Sequence, residues 1–257
     1  MRTNRFKIRL LLGLCIVAFA FIKRCSSMET NPYTGKDQVI NMTADQEIAI
    51  GLQSAPEMEQ QFGGLHPNNQ YQAFVTQVGN KLVQSSIASQ TPYDYHFHLL
   101  GDSNTVNAFA LPGGQVFITY ALFSQLENEA QLAGVLGHEI GHVLGRHSAE
   151  RIAETEFWKT VTTGASVGAD MGQLIGGIGQ QKLLTNSRGD ELESDDLGIM
   201  LMIDAGYDPE EMIGVMEILK ASAGPNRVPE YQSTHPDPDN RIEKIKAAIA
   251  KYKKTPI

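Results

Sequence analysis

The strongest chemical signal in the chain is the run His138-Glu139-Ile140-Gly141-His142. Helix positions four apart lie on one face, about 40° from each other. Both imidazoles can therefore reach one ion at the ~2.0–2.1 Å usual for zinc–nitrogen bonds. Glu139 stands one step round the helix, beside the ion and not on it, where a carboxylate can take a proton from water. This order of residues on a helix is the zinc peptidase motif. A solvated pair of histidines is the competing reading. It fits poorly with the neighbours Leu132, Val135, Leu136, Ile140, Val143 and Leu144, because polar groups among apolar ones need partners. His147 follows His138 by nine residues, about half a turn round, and is expected at the surface or at a helix cap.

A catalytic zinc usually has three protein ligands and an open position. The two cysteines, Cys15 and Cys25, lie near the N-terminus, so the body must bind metal through His, Asp or Glu. The acidic run Asp190, Glu191, Glu193, Asp195 and Asp196 supplies candidates. Glu191 and Asp195 share a helix face, and Glu193 points away. One of the pair would bind the ion while the other hydrogen-bonds a ligand histidine. Spacing leaves open which does which, and an ordinary acidic helix start, favoured by the helix dipole, competes.

These residues need elements to hold them. The motif falls in a predicted helix over residues 128–152, opened by the cap pair Asn128 and Gln131. Gly134, Gly137, Gly141 and Gly145 form a stripe beside the histidines. Glycine costs about 1 kcal/mol against alanine in a helix, so the stripe predicts close approach of the helix bearing the third ligand. Upstream, Thr43 and Gln46 in capping-box spacing predict a helix reaching Gly63-Gly64, and Phe74, Val75, Val78 and Leu82 predict another over 69–85. Residues 95–100 alternate as a strand, and 107–111 and 115–120 flank Pro112-Gly113-Gly114 as a hairpin. Downstream, 158–181 is glycine-rich and nearly uncharged, with Gly164, Gly168, Gly172 and Gly176 every four residues, and reads as a packing helix or mobile cover. Ser187 is expected to cap a helix over 187–205 stopped by Gly206. Asp208-Pro209 with Glu211 opens the next, and Ile242, Ile245 and Ile249 predict a last one over 239–252. The fold class is α+β, mainly helical, with a small antiparallel sheet and no internal repeat.

Composition agrees with a globular chain: 257 residues, 42% hydrophobic, 19% charged, formal net charge -8. The charge is split. Residues 1–24 hold Arg2, Arg5, Lys7, Arg9, Lys23 and Arg24 and no acid, which leaves 15 basic against 29 acidic residues, about -14, for the rest. So acidic a body argues against nucleic acid as a partner. Four of those basic residues precede the thirteen-residue apolar run 10–22, short for a membrane span of about 20 residues and right for a signal-peptide core. Residues 1–25 are thus expected to be a signal peptide or short membrane anchor, 26–42 a linker or extended arm, and 43–257 one domain. Cleavage, lipidation at Cys25 and retention as an anchor stay open, since Lys23-Arg24 replace the small residues that usually precede a lipid-modified cysteine. The chain is expected to be exported to the periplasm or cell envelope, with membrane association through its N-terminal segment.

The chain resembles the zinc metallopeptidase family of the CAAX prenyl protease and HtpX, most of all its exported, single-domain bacterial members. The shared stretches are Asn31-Pro32-Tyr33-Thr34-Gly35, Asn107-Ala108-Phe109-Ala110-Leu111-Pro112-Gly113-Gly114, residues 129–147, residues 187–198, and His235-Pro236 followed by Arg241-Ile242. The resemblance implies a zincin-like domain with one zinc, held by His138, His142 and Glu191, with Asp195 supporting the site from behind and Glu139 catalytic. It implies also that the strand of Asn107, Ala108, Phe109 and Ala110 pairs with substrate backbone. His235 would lie near the zinc, either stabilising the oxyanion or holding the enzyme latent. The expected function is endopeptidase action on polypeptides of the cell envelope. A zinc-bound chaperone without proteolysis, and a structural zinc closed by His235, are the rival readings.

Overall fold

The computed structural model describes residues 2–222, 235 and 241–253. The chain divides into two compact units, Met1–Met42 with His147–Ser187, and Thr43–Arg146 with Arg188–Ile257.

In the larger unit, α2 (Ala44–Gln61) begins where the sequence places it. Thr43 Oγ1 accepts from the Gln46 amide, and the Gln46 side chain accepts from the Thr43 amide, a complete capping box. At α3 (Asn69–Gln84) the Asn68 side chain alone makes the cap, accepting the Gln70 and Tyr71 amides. The sheet has strand order β3-β5-β4, with β3 at His96–Leu100, β4 at Ala108–Leu111 and β5 at Gln115–Thr119. The β4–β5 hairpin is antiparallel as expected, turning through Gly113 and Gly114 at positive φ. β3 joins the far side of β5 in parallel, a direction that alternation within 95–100 does not encode. β5 is buried at every position, so β4 is left as an edge.

After the short α4 (Tyr120–Phe123), α5 (Glu129–Leu144) runs through the core, capped by Asn128. It packs on α3, on β4 and on α8 (Glu211–Ala221). Leu132, Leu136, Ile140 and Leu144 are buried on it, and Val75, Val78 and Leu82 on α3. The helix expected over 128–152 is broken. Gly145 caps α5, Arg146 takes φ 54°, and α6 (His147–Ala169) starts afresh. The chain breaks again at Asp170, also φ 54°, before α7 (Gly172–Asp204). Ser187 does not cap a helix. It lies inside α7, where its hydroxyl accepts from Arg151 Nη2 at 2.5 Å. Gly206, at φ 75°, ends the helical run as expected. The last described helix is α9 (Arg241–Lys253); the expected helical residues 239–240 lie outside the described residues.

In the smaller unit, α1 (Arg2–Ser26) packs on α6, antiparallel to it. The approach is close enough that a Cβ on Gly13 would stand 2.5 Å from the Gly164 carbonyl oxygen. Residues 28–39 form an antiparallel ribbon of β1 (Met28–Thr30) and β2 (Asp37–Val39). Asn31 Oδ1 accepts the Tyr33 and Thr34 amides in its turn. No helix among the described residues is long and apolar enough to cross a membrane.

Candidate metal centre

α5 carries His138, Glu139 and His142 into the interior because its opposite faces are both occupied by packed elements. The second half of α7 crosses it at the predicted glycine stripe. A Cβ on Gly137 would meet the Gly198 carbonyl oxygen at 3.2 Å, and one on Gly141 would meet that of Ser194 at 2.8 Å. Alanine at either place would push the helices apart. That closeness brings Glu191, one turn before Asp195 on α7, under both histidines.

The resulting donor set is compact. His138 Nε2 lies 3.1 Å from His142 Nε2, 3.3 Å from Glu191 Oε2 and 3.3 Å from His235 Nδ1. Glu191 Oε1 lies 3.4 Å from His142 Nε2 and 3.1 Å from His235 Nδ1. Donors bound at ~2.0–2.1 Å to a tetrahedral zinc are separated by roughly 3.3–3.4 Å. The separations lie near that edge length, with Glu191 turning Oε2 to His138 and Oε1 to His142 and His235, and three imidazoles with one carboxylate are donors zinc prefers. The residues present fit the metal.

The electrostatics point the same way. Burial opposes the charge of Glu191, but His235, His138 and His142 more than offset it and hold its carboxyl well below the usual range. Burial likewise works against a charged His138, yet its hydrogen bonds to Asp195 and Glu191 prevail and push its pKa up to about 9. The cavity between these groups favours a cation, whether a proton or a metal ion. Glu139 differs. It is 0% exposed, and burial raises its pKa. Neither carboxylate oxygen has a hydrogen-bond partner among the described residues. His235 stands closest in this cluster, with Nε2 3.6 Å from Oε1.

Behind the donors, His138 Nδ1–H donates to Asp195 Oδ1 at 2.9 Å, which turns Nε2 toward the donor cluster. Arg241 then grips Asp195 through two bonds, Nε to Oδ2 at 2.7 Å and Nη2 to Oδ1 at 2.9 Å. Spacing did not reveal Arg241. Its one local signal is a lone arginine opening an amphipathic helix, and its partner lies 46 residues away. The Asn107–Ala110 stretch behaves as an edge: among the described residues β4 pairs with β5 alone, and His235 Nε2–H donates to the Ala108 carbonyl at 3.2 Å. Asn107 is buried at its start. His235 therefore touches both the donor cluster and the edge strand; Pro236 after it lies outside the described residues.

A second arrangement, also missed in the sequence, braces these parts from α2. Buried Glu47 accepts from Arg146 Nε at 2.9 Å and from Arg146 Nη2 at 2.5 Å, just past the end of α5. Its other oxygen accepts from the Tyr93 hydroxyl at 3.2 Å. The next residue, Ile48, lies against the hairpin turn, where a Cβ on Gly113 would stand 2.4 Å from Ile48 Cα. α2 thereby fixes the metal helix and the edge strand to one support. His147, expected at the surface or at a helix cap, is buried as the first residue of α6 and lies outside the four-donor set.

Known proteins with similar sequences carry the same reading. Over 224 residues the chain is 33% identical to the beta-barrel assembly-enhancing protease of Yersinia pestis, covering 82% of this chain and 45% of the relative. The protein of that name from Escherichia coli strain K12 is 32% identical over 182 residues, 66% of this chain and 37% of its own length. The mitochondrial metalloendopeptidase OMA1 of Schizosaccharomyces pombe is 30% identical over 226 residues, 85% of this chain and 65% of the relative. The chain spans less than half the length of the two bacterial relatives. The sequence profile of peptidase family M48 matches residues 69–249 and so takes in both helices of the donor cluster, the edge strand and His235. The expected kinship is borne out, and the chain belongs to peptidase family M48.

Proposed function

We propose that the chain is a zinc-dependent endopeptidase of the cell envelope, with the metal held by His138, His142 and Glu191. The observation that carries the proposal is Glu139, a carboxylate wholly buried beside a cluster of metal donors and bonded to none of them. A buried carboxylate without a hydrogen bond costs stability, and proton transfer at the site is the role that accounts for it. Zinc bound there supplies a Lewis acid for the scissile carbonyl and acidifies water to a pKa of about 7.

The chain's own groups do the rest. Glu139, its pKa raised by burial, takes the proton of the attacking water and passes it to the leaving nitrogen. Asp195 keeps the Nδ1 proton of His138 in place, and Arg241 keeps Asp195 in place. The side of β4 away from β5 carries main-chain donors and acceptors that an extended peptide can use, so substrate adds as a strand over the cluster. In the geometry described, His235 stands in the way. It supplies the fourth donor and occupies the Ala108 carbonyl that a substrate strand would use. The resting state is therefore latched by His235, and substrate must displace it.

The names of the relatives, a protease that enhances beta-barrel assembly and a mitochondrial metalloendopeptidase, support polypeptides as substrates. Export, and membrane association through the N-terminal segment, accord with the basic residues and apolar run of α1. Cleavage of unfolded casein by the full chain tests the proposal, with Glu139→Gln and His235→Ala run beside it and zinc measured in all three. Zinc retained and cleavage lost on the order of a thousandfold in the glutamine variant is the expected result. Faster cleavage by the alanine variant shows the latch. Casein bound but uncut by parent and alanine variant alike would favour the chaperone reading instead.

A further inference from the structure

α1 buries little of itself. Gly13 and Ala20 are buried on its α6 side, while Phe6, Ile8, Leu11, Leu12 and Leu14 stand exposed, Ile8 at 66%. The first turns of α7 repeat the pattern: Met171, Leu174 and Ile178 fall on one stripe and are exposed, Leu174 at 59% and Ile178 at 48%. These two sets share one end of the smaller unit. Arg9 Nε donates to the Val167 carbonyl at 3.1 Å and Nη2 to Asp170 Oδ1 at 2.7 Å, which places the start of α1 against the α6–α7 turn. Apolar surface of this extent calls for an occupant.

Charge identifies it. Arg5 and Lys7 flank the apolar residues of α1, in a chain whose remainder is strongly acidic. Across residues 160–181 the one charged residue is Asp170, already paired with Arg9. A second copy meeting this end would bring like charges together, whereas anionic phosphate headgroups complement them. The apolar run 10–22, about 20 Å long as a helix, falls short of the ~30 Å hydrocarbon core. α1 therefore suits a place along the interface more than a crossing.

We propose that the start of α1 and the α6–α7 turn together form one docking surface for an anionic phospholipid bilayer, with Leu174 and Ile178 entering it beside the apolar residues of α1. The proposal rests on the membrane association of the N-terminal segment and adds a second, distant stretch of chain to it.

Flotation of the full chain with phosphatidylcholine vesicles, with and without phosphatidylglycerol, tests it. Binding is expected with phosphatidylglycerol only. Replacing Arg5 and Lys7 together by Gln should weaken it about thirtyfold, and Leu174→Glu with Ile178→Glu at least about tenfold. Leu52→Glu, the same change at an exposed site of α2, should leave it unaltered. If the α1 variant loses binding and the α7 variant keeps it, the shared surface is wrong while the N-terminal association stands. If the parent binds neither vesicle, both fall. Equal binding to neutral vesicles, or self-association unaffected by lipid, would overturn the anionic bilayer as the occupant.

Discussion

Where α5 crosses α7, Gly137 faces the backbone of Gly198 and Gly141 that of Ser194; where α1 crosses α6, Gly13 faces Gly164 and Gly168. Both contacts put small residues where two backbones nearly touch, yet one is flanked by chemistry and the other is not. Beside the first stand His138, His142, Glu191 and Asp195, all inward and all within bonding reach of a neighbour. Beside the second, the charged side chains are spent in surface pairs such as Arg9 with Asp170, and Leu11, Leu12 and Leu14 face outward. Small residues set the distance between helices, and the residues one step round the helix decide what that distance is used for. At the metal centre the distance must hold to fractions of an ångström; at the surface crossing it need only bring two stripes to one side.

The comparison can be broken most severely at Arg241. Arg241→Ala leaves the buried Asp195 charge uncompensated and should cost about 3–5 kcal/mol of unfolding free energy, read from denaturant melts, with zinc affinity falling roughly 10–100-fold. Next in size, Gly141→Val forces the α5–α7 backbones apart. It should cost about 1–3 kcal/mol and lower zinc content. Gly13→Val, the matched change at the other crossing, should carry a similar cost in stability and leave zinc content at the parent level. Zinc loss in both variants would show that the two crossings are not independent. The smallest effect concerns the brace from α2. Tyr93→Phe removes one hydrogen bond to Glu47 and should cost about 0.5–1.5 kcal/mol, seen as a lowered Tm with zinc content unchanged.

Legibility in the sequence followed the range of the interactions. The start of the metal helix, the caps at Thr43 and Asn128 and the hairpin turn depend on residues a few positions apart, and all stand where local spacing puts them. The Glu191–Asp195 pair was legible as a shared face, while the choice between them needed family resemblance. The helix break at Arg146 was hidden because arginine does not favour the positive φ it adopts, whereas Asp170 is of a type that visits that region more readily. At Arg146 a buried ion pair with Glu47, a hundred residues upstream, compensates. Ser187 looked like a cap because serine often is one, but the helix had already begun at Gly172. The resemblance marked Arg241, but its bond to Asp195 stayed hidden for the same reason as that of Glu47: the partner is remote in sequence and the bond is made only by the fold.

We propose that His138, His142, Glu191 and His235 close around one metal ion in the resting state. Zinc K-edge X-ray absorption on the full chain, with zinc stoichiometry, measures it most directly. One zinc per chain is expected, with only nitrogen and oxygen donors at about 2.0–2.1 Å, and with one imidazole fewer in His235→Ala. Zinc well below one per chain, or the same number of imidazoles in parent and variant, would contradict it.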